Sequence, residues 1–368
     1  MSSSDDQSIK PVAILDTGID PNHDYLKNKL DIRNGSYGLG NFHHLGLPNE
    51  VIIQNPNVEN QNSHGLHVAS ILLKDRSDVK LTTYGVLTPS GYNDQGDLNQ
   101  KFSDFFNKIS LDLKARDIKY VNASLGLVPS FNGPPPAVYA QVKSYRAFES
   151  SMDKIISENP GILFVCAAGN GGIFGDSVNV DNKEVWKNNY GSFPPIPAAF
   201  QHDNLIVVGA LATNTLDESF LHTYKLTTFT NFGEKSVDIY APGKDMLGAA
   251  LGGGEVAISG TSMSSPYLLN KGVLSIAQIN PQLTHQQIKK VLLKTAYIKN
   301  LSQPLPATSG GIFYPSRAYA VANLLGEEPH LSIDEAVFKI RKHIYHIGEA
   351  NNFESIQRLK KLWKERGL

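Results

Sequence analysis

Four short, largely apolar runs mark the chain at positions 12–15, 119–123, 162–168 and 205–210, each closing on a small or polar turn. Unbroken hydrophobicity over so few residues is the pattern of a strand covered on both faces, as in a parallel sheet. Helical periodicity fills some of the gaps, as at 102–115 and 147–157, so the order reads β-α-β-α. Pro- and Gly-rich pieces such as "NGPPPAV" and "GSFPPIPAAF" mark surface loops. Beyond Leu331 the pattern changes to two amphipathic stretches, "LSIDEAVFKIRKHIYHI" and "NFESIQRLKKLWKERGL". The expected organisation is a main α/β domain over 1–325 and a helical extension over 326–368.

Composition narrows this picture only modestly. With 368 residues, 41% of them hydrophobic, the chain can bury a large core. A formal net charge of −1 gives no global attraction to nucleic acid or to a membrane surface. No apolar run approaches the roughly 18 residues of a membrane span, and the polar start "MSSSDDQSIK" lacks the features of a secretory signal. The single cysteine, Cys166, rules out an internal disulfide framework. The expectation is a cytoplasmic protein, a secreted mature fragment being the alternative.

Candidate chemistry gathers where apolar runs end. "VAILDTGID" carries Asp16 out of the first strand, at the carboxyl end, where open α/β sheets bind ligands; a plain turn Asp is the competing reading. In "NSHGLHVAS" a helix is expected to begin at His64, with the neighbouring His67 read as a packed, hydrogen-bonded core histidine. "ILFVCAAGN" brings Asn170 to a strand end and places Cys166 in the core. "SGTSMSSP" sets Ser262 at a helix start, with Pro266 in the first turn; there Ser262 is either a simple N-cap or a hydroxyl placed where developing negative charge is favoured. Taken together, Asp16, His64, Asn170 and Ser262 supply an orienting carboxylate, a general base, an oxyanion donor and a nucleophile.

These stretches, together with "VNASLG", "IPAAFQHDNLIVVGA", "FGEKSVDIYAPG" and "LTHQQIKKVLLKTA", resemble the subtilisin-like serine peptidases, and the resemblance runs over roughly 11–325. It implies a three-layer subtilisin-like α/β fold with a mostly parallel central sheet flanked by helices, followed by the C-terminal helical appendix. It also implies an endopeptidase working through an acyl-enzyme. Ser262 would be the nucleophile, His64 the base and acid, Asp16 the orienting carboxylate, and Asn170 with the Ser262 N–H the oxyanion hole. Ser124, Leu125 and Gly126 would pair with an extended substrate, and with Ala168 and Gly169 would line the pocket before the cleaved bond. The likeness departs at Leu66 and at Tyr267–Asn270, where larger side chains imply a differently packed central helix.

No cofactor is required for this chemistry and no metal ligands are identified. The short segment after the His64 helix lacks the Asn-rich calcium loop of many secreted relatives, so structural calcium is unsupported there, with other sites left open. The expected partner is a polypeptide substrate, with no nucleic acid and no membrane. The residues before Asp16 hold no recognisable inhibitory propeptide, and residues 332–368 are expected to pack on this domain or on a partner protein. A peptide cyclase and a silent binding module of the same fold are the rival functions. Asp176, Asp181 and Glu184 raise the further expectation of an acidic pocket base that favours basic residues.

Overall fold

The structure is a computed structural model, and it describes residues 10–17, 19, 23–26, 29, 56–86, 98–126, 135–171, 176–182, 195–343, 361–365 and 368. Its centre is a six-stranded sheet built from β1 (Lys10–Asp16), β2 (Val79–Gly85), β3 (Tyr120–Ala123), β4 (Leu163–Ala167), β5 (Leu205–Leu211) and β6 (Ile239–Pro242). The spatial order is β2-β1-β3-β4-β5-β6 and every neighbouring pair is parallel. Successive residues of β1 alternate between two cores: Val12 and Ile14 face one, Ala13 and Leu15 the other. That double burial is why the strands read as continuous apolar runs.

Helices α1 (Pro56–Leu73), α2 (Leu98–Ala115) and α3 (Pro135–Ser157) follow the first strands. Helix α2 and α3 pack together on one face through Phe102, Phe106 and Phe148. The other face is covered by α1 and by the central helix α4 (Thr261–Leu268), which continues through a π-helical turn, Leu269–Leu274, into α5 (Ser275–Ile279). Helices α6 (His285–Thr295), α7 (Pro315–Glu327) and α8 (Ile333–His343) complete that layer. An antiparallel hairpin, β7 (Met246–Ala249) and β8 (Glu255–Ile258), leads into α4. None of the described helices is long and apolar enough to cross a membrane.

Helix α1 departs from the expected start at His64. It begins at Pro56, so the polar segment 60–63 is helical and His64 lies in the middle of the element.

The described part of 332–368 is built into the same core as the sheet. Ala336 and Val337 on α8 are fully buried, and Leu362 and Trp363 join them. Trp363 lies against Phe338, ring centroids 5.8 Å apart, with the Lys294 ammonium 4.9 Å from its ring centre. Trp363→Ala should therefore lower stability by about 3–5 kcal/mol, the usual cost of emptying a buried aromatic site. Thermal unfolding measures this, and a melting temperature equal to that of the unmodified chain would refute it.

Candidate active site

In a sheet of order 2-1-3-4-5-6 the chain reverses its direction of travel between β1 and β3, and ligands bind outside the carboxyl ends of strands at such a point. Asp16 is the last residue of β1. Its neighbour across the switch, β3, ends at Ala123 in register with Leu15, and Ser124 follows directly. The topology thus brings Asp16 and Ser124 to one edge before any side-chain contact is considered.

Asp16 is buried, and its Oδ1 accepts from the Thr17 N–H and from His64 Nδ1, both at 2.7 Å. This fixes the His64 tautomer with the proton on Nδ1 and leaves Nε2 as the acceptor. The Thr17 hydroxyl accepts from the Gly65 N–H at 3.2 Å and so ties the turn after β1 to α1. Burial pulls the His64 pKa down, but the charge and hydrogen bond of Asp16 outweigh it, and the net shift is upward. The ring remains 30% exposed, enough to meet an incoming molecule.

The "SGTSMSSP" stretch divides its hydroxyls among distinct tasks. Gly260, not Ser262, is the N-cap of α4, and Ser262 is the second helical residue. Ser259 donates to Asp245, and Thr261 Oγ1 donates to Asn170 Oδ1 at 2.8 Å while accepting from the Gly169 N–H. Ser265 Oγ donates to Asn122 Oδ1 at 2.7 Å, with Val165 O as a second acceptor at 3.0 Å. Ser264 is fully buried and packs beside Gly243. Ser262 Oγ makes only a long bond of 3.4 Å, to the Ser124 carbonyl.

Pro266 stands inside α4, one turn later than expected, and this has a consequence for Ser262. A proline has no N–H for the carbonyl four residues back, which here is Ser262 O. The buried Ser124 hydroxyl supplies the missing donor at 2.7 Å. Asn122 Nδ2 donates to the same hydroxyl at 2.9 Å. Ser124 thus faces Ser262 with both its hydroxyl and its carbonyl. Leu125 is buried, whereas Gly126 is exposed.

Asn170 lies beside the start of α4. Its Oδ1 accepts from the Thr261 N–H and hydroxyl, both at 2.8 Å. A backbone N–H can only donate, so the amide is oriented with Nδ2 outward, next to Gly260. Ala168 and Gly169 form the turn before it. Gly169 has φ +96°, and a Cβ there would sit 2.5 Å from Asn231 Nδ2, so no other residue fits.

Asn231 was invisible to sequence reasoning. It is fully buried; Nδ2 donates to Ala168 O, and Oδ1 accepts from the N–H groups of Gly171 and Val178. It holds the whole Ala168–Gly171 turn. Only its polarity inside "TNFG" hinted at a special place.

His67 is a packed core histidine, with Nε2 at 3.0 Å from both Met246 O and Val256 O, and burial lowers its pKa. Cys166 is fully buried, and burial raises its pKa, so it is an inert core residue. Such a thiol carries no information about redox compartment. Asp181 accepts from the N–H groups of Lys235 and Ser236, which makes it a turn-fixing residue, not a pocket base. Asp176 is exposed and Glu184 lies outside the described residues, so the expected preference for basic substrates loses its support. A cavity of about 680 Å³, lined by Leu205, Asp238 and Lys289 among others, opens at the opposite edge of the sheet and contains none of the site residues.

The structure therefore brings Asp16 to His64, and Ser262 to Ser124 and Asn170's turn, with α1 packed against α4. Solved structures of similar architecture include the A subunit of the AB5 toxin from E. coli, at TM-score 0.59 and 19% identity, covering 86% of this chain and 93% of that one. The epidermin leader peptide processing serine protease EpiP from Staphylococcus aureus matches at TM-score 0.57 and 20% identity, over 85% of this chain and 76% of that one. Both are alike in fold. In sequence, Subtilisin-like protease 3 of Arthroderma otae is 32% identical over 159 residues, 43% of this chain and 32% of that protein. Subtilisin-like protease 4 of Trichophyton rubrum is 33% identical over 145 residues, 39% of this chain and 29% of that protein. The matched stretch spans about a third of these relatives' length. The model of the subtilase family matches residues 10–324, and the chain belongs to that family.

Proposed function

We propose that this protein is a serine endopeptidase that cleaves peptide bonds through an acyl-enzyme on Ser262. The observation that carries this reading is the Asp16–His64 bond of 2.7 Å at the switch point of the sheet, beside the helix whose first turn holds Ser262. In this reading the Ser262 hydroxyl leaves its long bond to Ser124 O and turns to His64 Nε2 when substrate arrives; such bonds are often loose in a free enzyme. His64 takes the proton as Ser262 Oγ attacks the carbonyl carbon. Asp16 holds the ring and stabilises its charged form. The oxyanion receives the outward Asn170 Nδ2–H and the Ser262 N–H, which as a first-turn amide has no helical partner. His64 then gives its proton to the departing amine, and water repeats the sequence to free the acid.

An extended substrate would add itself as a strand along 124–126, beyond the end of β3, by main-chain hydrogen bonds. No step in this reading calls on a metal or cofactor. The substrate is a polypeptide, without involvement of nucleic acid or membrane. The described part of 332–368 serves in it as a self-packing clamp on the helical layer.

The test is covalent labelling by a fluorophosphonate together with mass spectrometry of the products of a linear peptide. Labelling at Ser262 and open-chain fragments are expected. A protein that hydrolyses nothing and takes no label would be a silent binding module, and a circular product would make it a cyclase.

A further inference from the structure

The central helix is interrupted by the π-helical turn Leu269–Leu274, and a buried polar node surrounds it. Such a turn frees backbone groups that need partners and recurs at functional sites. Asn270, in this turn, sends its Nδ2 across to α1, donating to Ile71 O at 3.0 Å and Lys74 O at 2.9 Å. It thereby caps the carboxyl end of the helix that carries His64.

Arg76 lies just beyond that end and is 9% exposed. Its Nε donates to Asn270 Oδ1 and its Nη2 to Asn270 O, each at 3.0 Å, with Ser275 Oγ at 3.0 Å as a further Nη2 partner. Nη1 meets both oxygens of Asp78 at 3.0 and 2.9 Å and Gln278 Oε1 at 3.4 Å. Asp78 in turn holds the start of β1: its side chain accepts from Lys10 Nζ at 3.2 Å and its carbonyl from Lys10 N at 2.7 Å. One guanidinium therefore joins three elements at the ends remote from the chemistry. These are β1, whose other end is Asp16; α1, which carries His64; and the helix whose first turn holds Ser262.

We infer that Arg76 is a positioning residue that sets the mutual alignment of Asp16, His64 and Ser262 from the far side of the sheet and helices, by way of Asn270 and Asp78. The inference rests on the peptidase reading above. Two helices and a strand fixed only at the active-site edge can still pivot; a second fixed point about 12–15 Å along each helix, at 1.5 Å per residue, removes that freedom. The planar five-donor guanidinium suits a node with this many acceptors, whereas a lysine would reach only some of them.

The test uses the full chain, with peptide hydrolysis, fluorophosphonate labelling and thermal unfolding measured on each variant. Arg76→Met should lower kcat by up to about 10²-fold, the scale of a 1 Å misplacement, with KM unchanged and labelling slowed in parallel. Arg76→Met combined with Asp78→Leu removes both buried charges and should regain melting temperature without regaining kcat. If Arg76→Met does not fold, Asn270→Ala keeps the Arg76–Asp78 pair while removing the bridge to α1, and should show the same loss in kcat. Full kcat in a folded Asn270→Ala or Arg76→Met variant, or kcat returning together with melting temperature in the double variant, would overturn the inference. An unmodified chain that takes no label at Ser262 would overturn the peptidase reading, and the inference with it.

Discussion

Ser262→Ala should lower kcat by about 10⁶-fold, the order seen when subtilisin loses its nucleophile, and should abolish fluorophosphonate labelling. The fold should be untouched. Ser262 is neither the cap of α4 nor a core residue, and its hydroxyl makes only the 3.4 Å bond to Ser124 O. Its carbonyl keeps the Ser124 donor whatever the side chain is. Melting temperature should therefore stay near that of the unmodified chain. Peptide turnover that persists in the alanine variant would remove Ser262 from the mechanism. An alanine variant with a much lower melting temperature would instead make the hydroxyl structural.

Asp16→Asn should cost about 10⁴-fold in kcat. The carboxylate can only accept, so it demands the proton on His64 Nδ1 and leaves Nε2 as an acceptor. An amide can turn its NH₂ to Nδ1, which puts the proton on Nε2 and disables the base. The pH profile provides a second readout. Activity needs neutral His64, so it falls as pH drops through the His64 pKa, which Asp16 raises above the ordinary 6.5. Without the carboxylate's charge, burial alone acts on the ring and lowers that pKa. The acidic limb of kcat/KM should therefore move to lower pH in Asp16→Asn. A limb that stays in place would mean that His64 is not the titrating group.

Much of the architecture was legible because double burial leaves a plain trace. The apolar runs at 12–15, 119–123, 162–168 and 205–210 fall on β1, β3, β4 and β5. β2 was not legible: Lys80, Thr82 and Thr83 break its apolar run, although both threonines are buried. β6 is only four residues long and ends in Pro242. The beginning of α1 was misplaced because Gly65 and the polar segment before His64 suggest a boundary, whereas the helix runs through both from Pro56.

At the site, Asp16, His64, Asn170 and Ser262 stood out because each sits in a distinctive short motif. Asn231, Asn122 and Arg76 did not. Asn231 meets Gly171 from 60 positions away, Asn122 meets Ser265 from 143 and Arg76 meets Asn270 from 194, and no local pattern encodes such a meeting. Pro266 was seen, but what it does to Ser262 becomes visible only when the turn it occupies is known.

The proline that deprives Ser262 O of its helical donor also limits how the neighbouring strand can be redesigned. Position 124 must keep a hydroxyl of serine's reach, because Ser124 Oγ has taken over that donor's place. Gly126 is the freer position on this segment, since an added side chain there would first approach Ile196 O at 4.0 Å. Changing Ser124 would leave the Ser262 carbonyl without its donor and so disturb the first turn of α4.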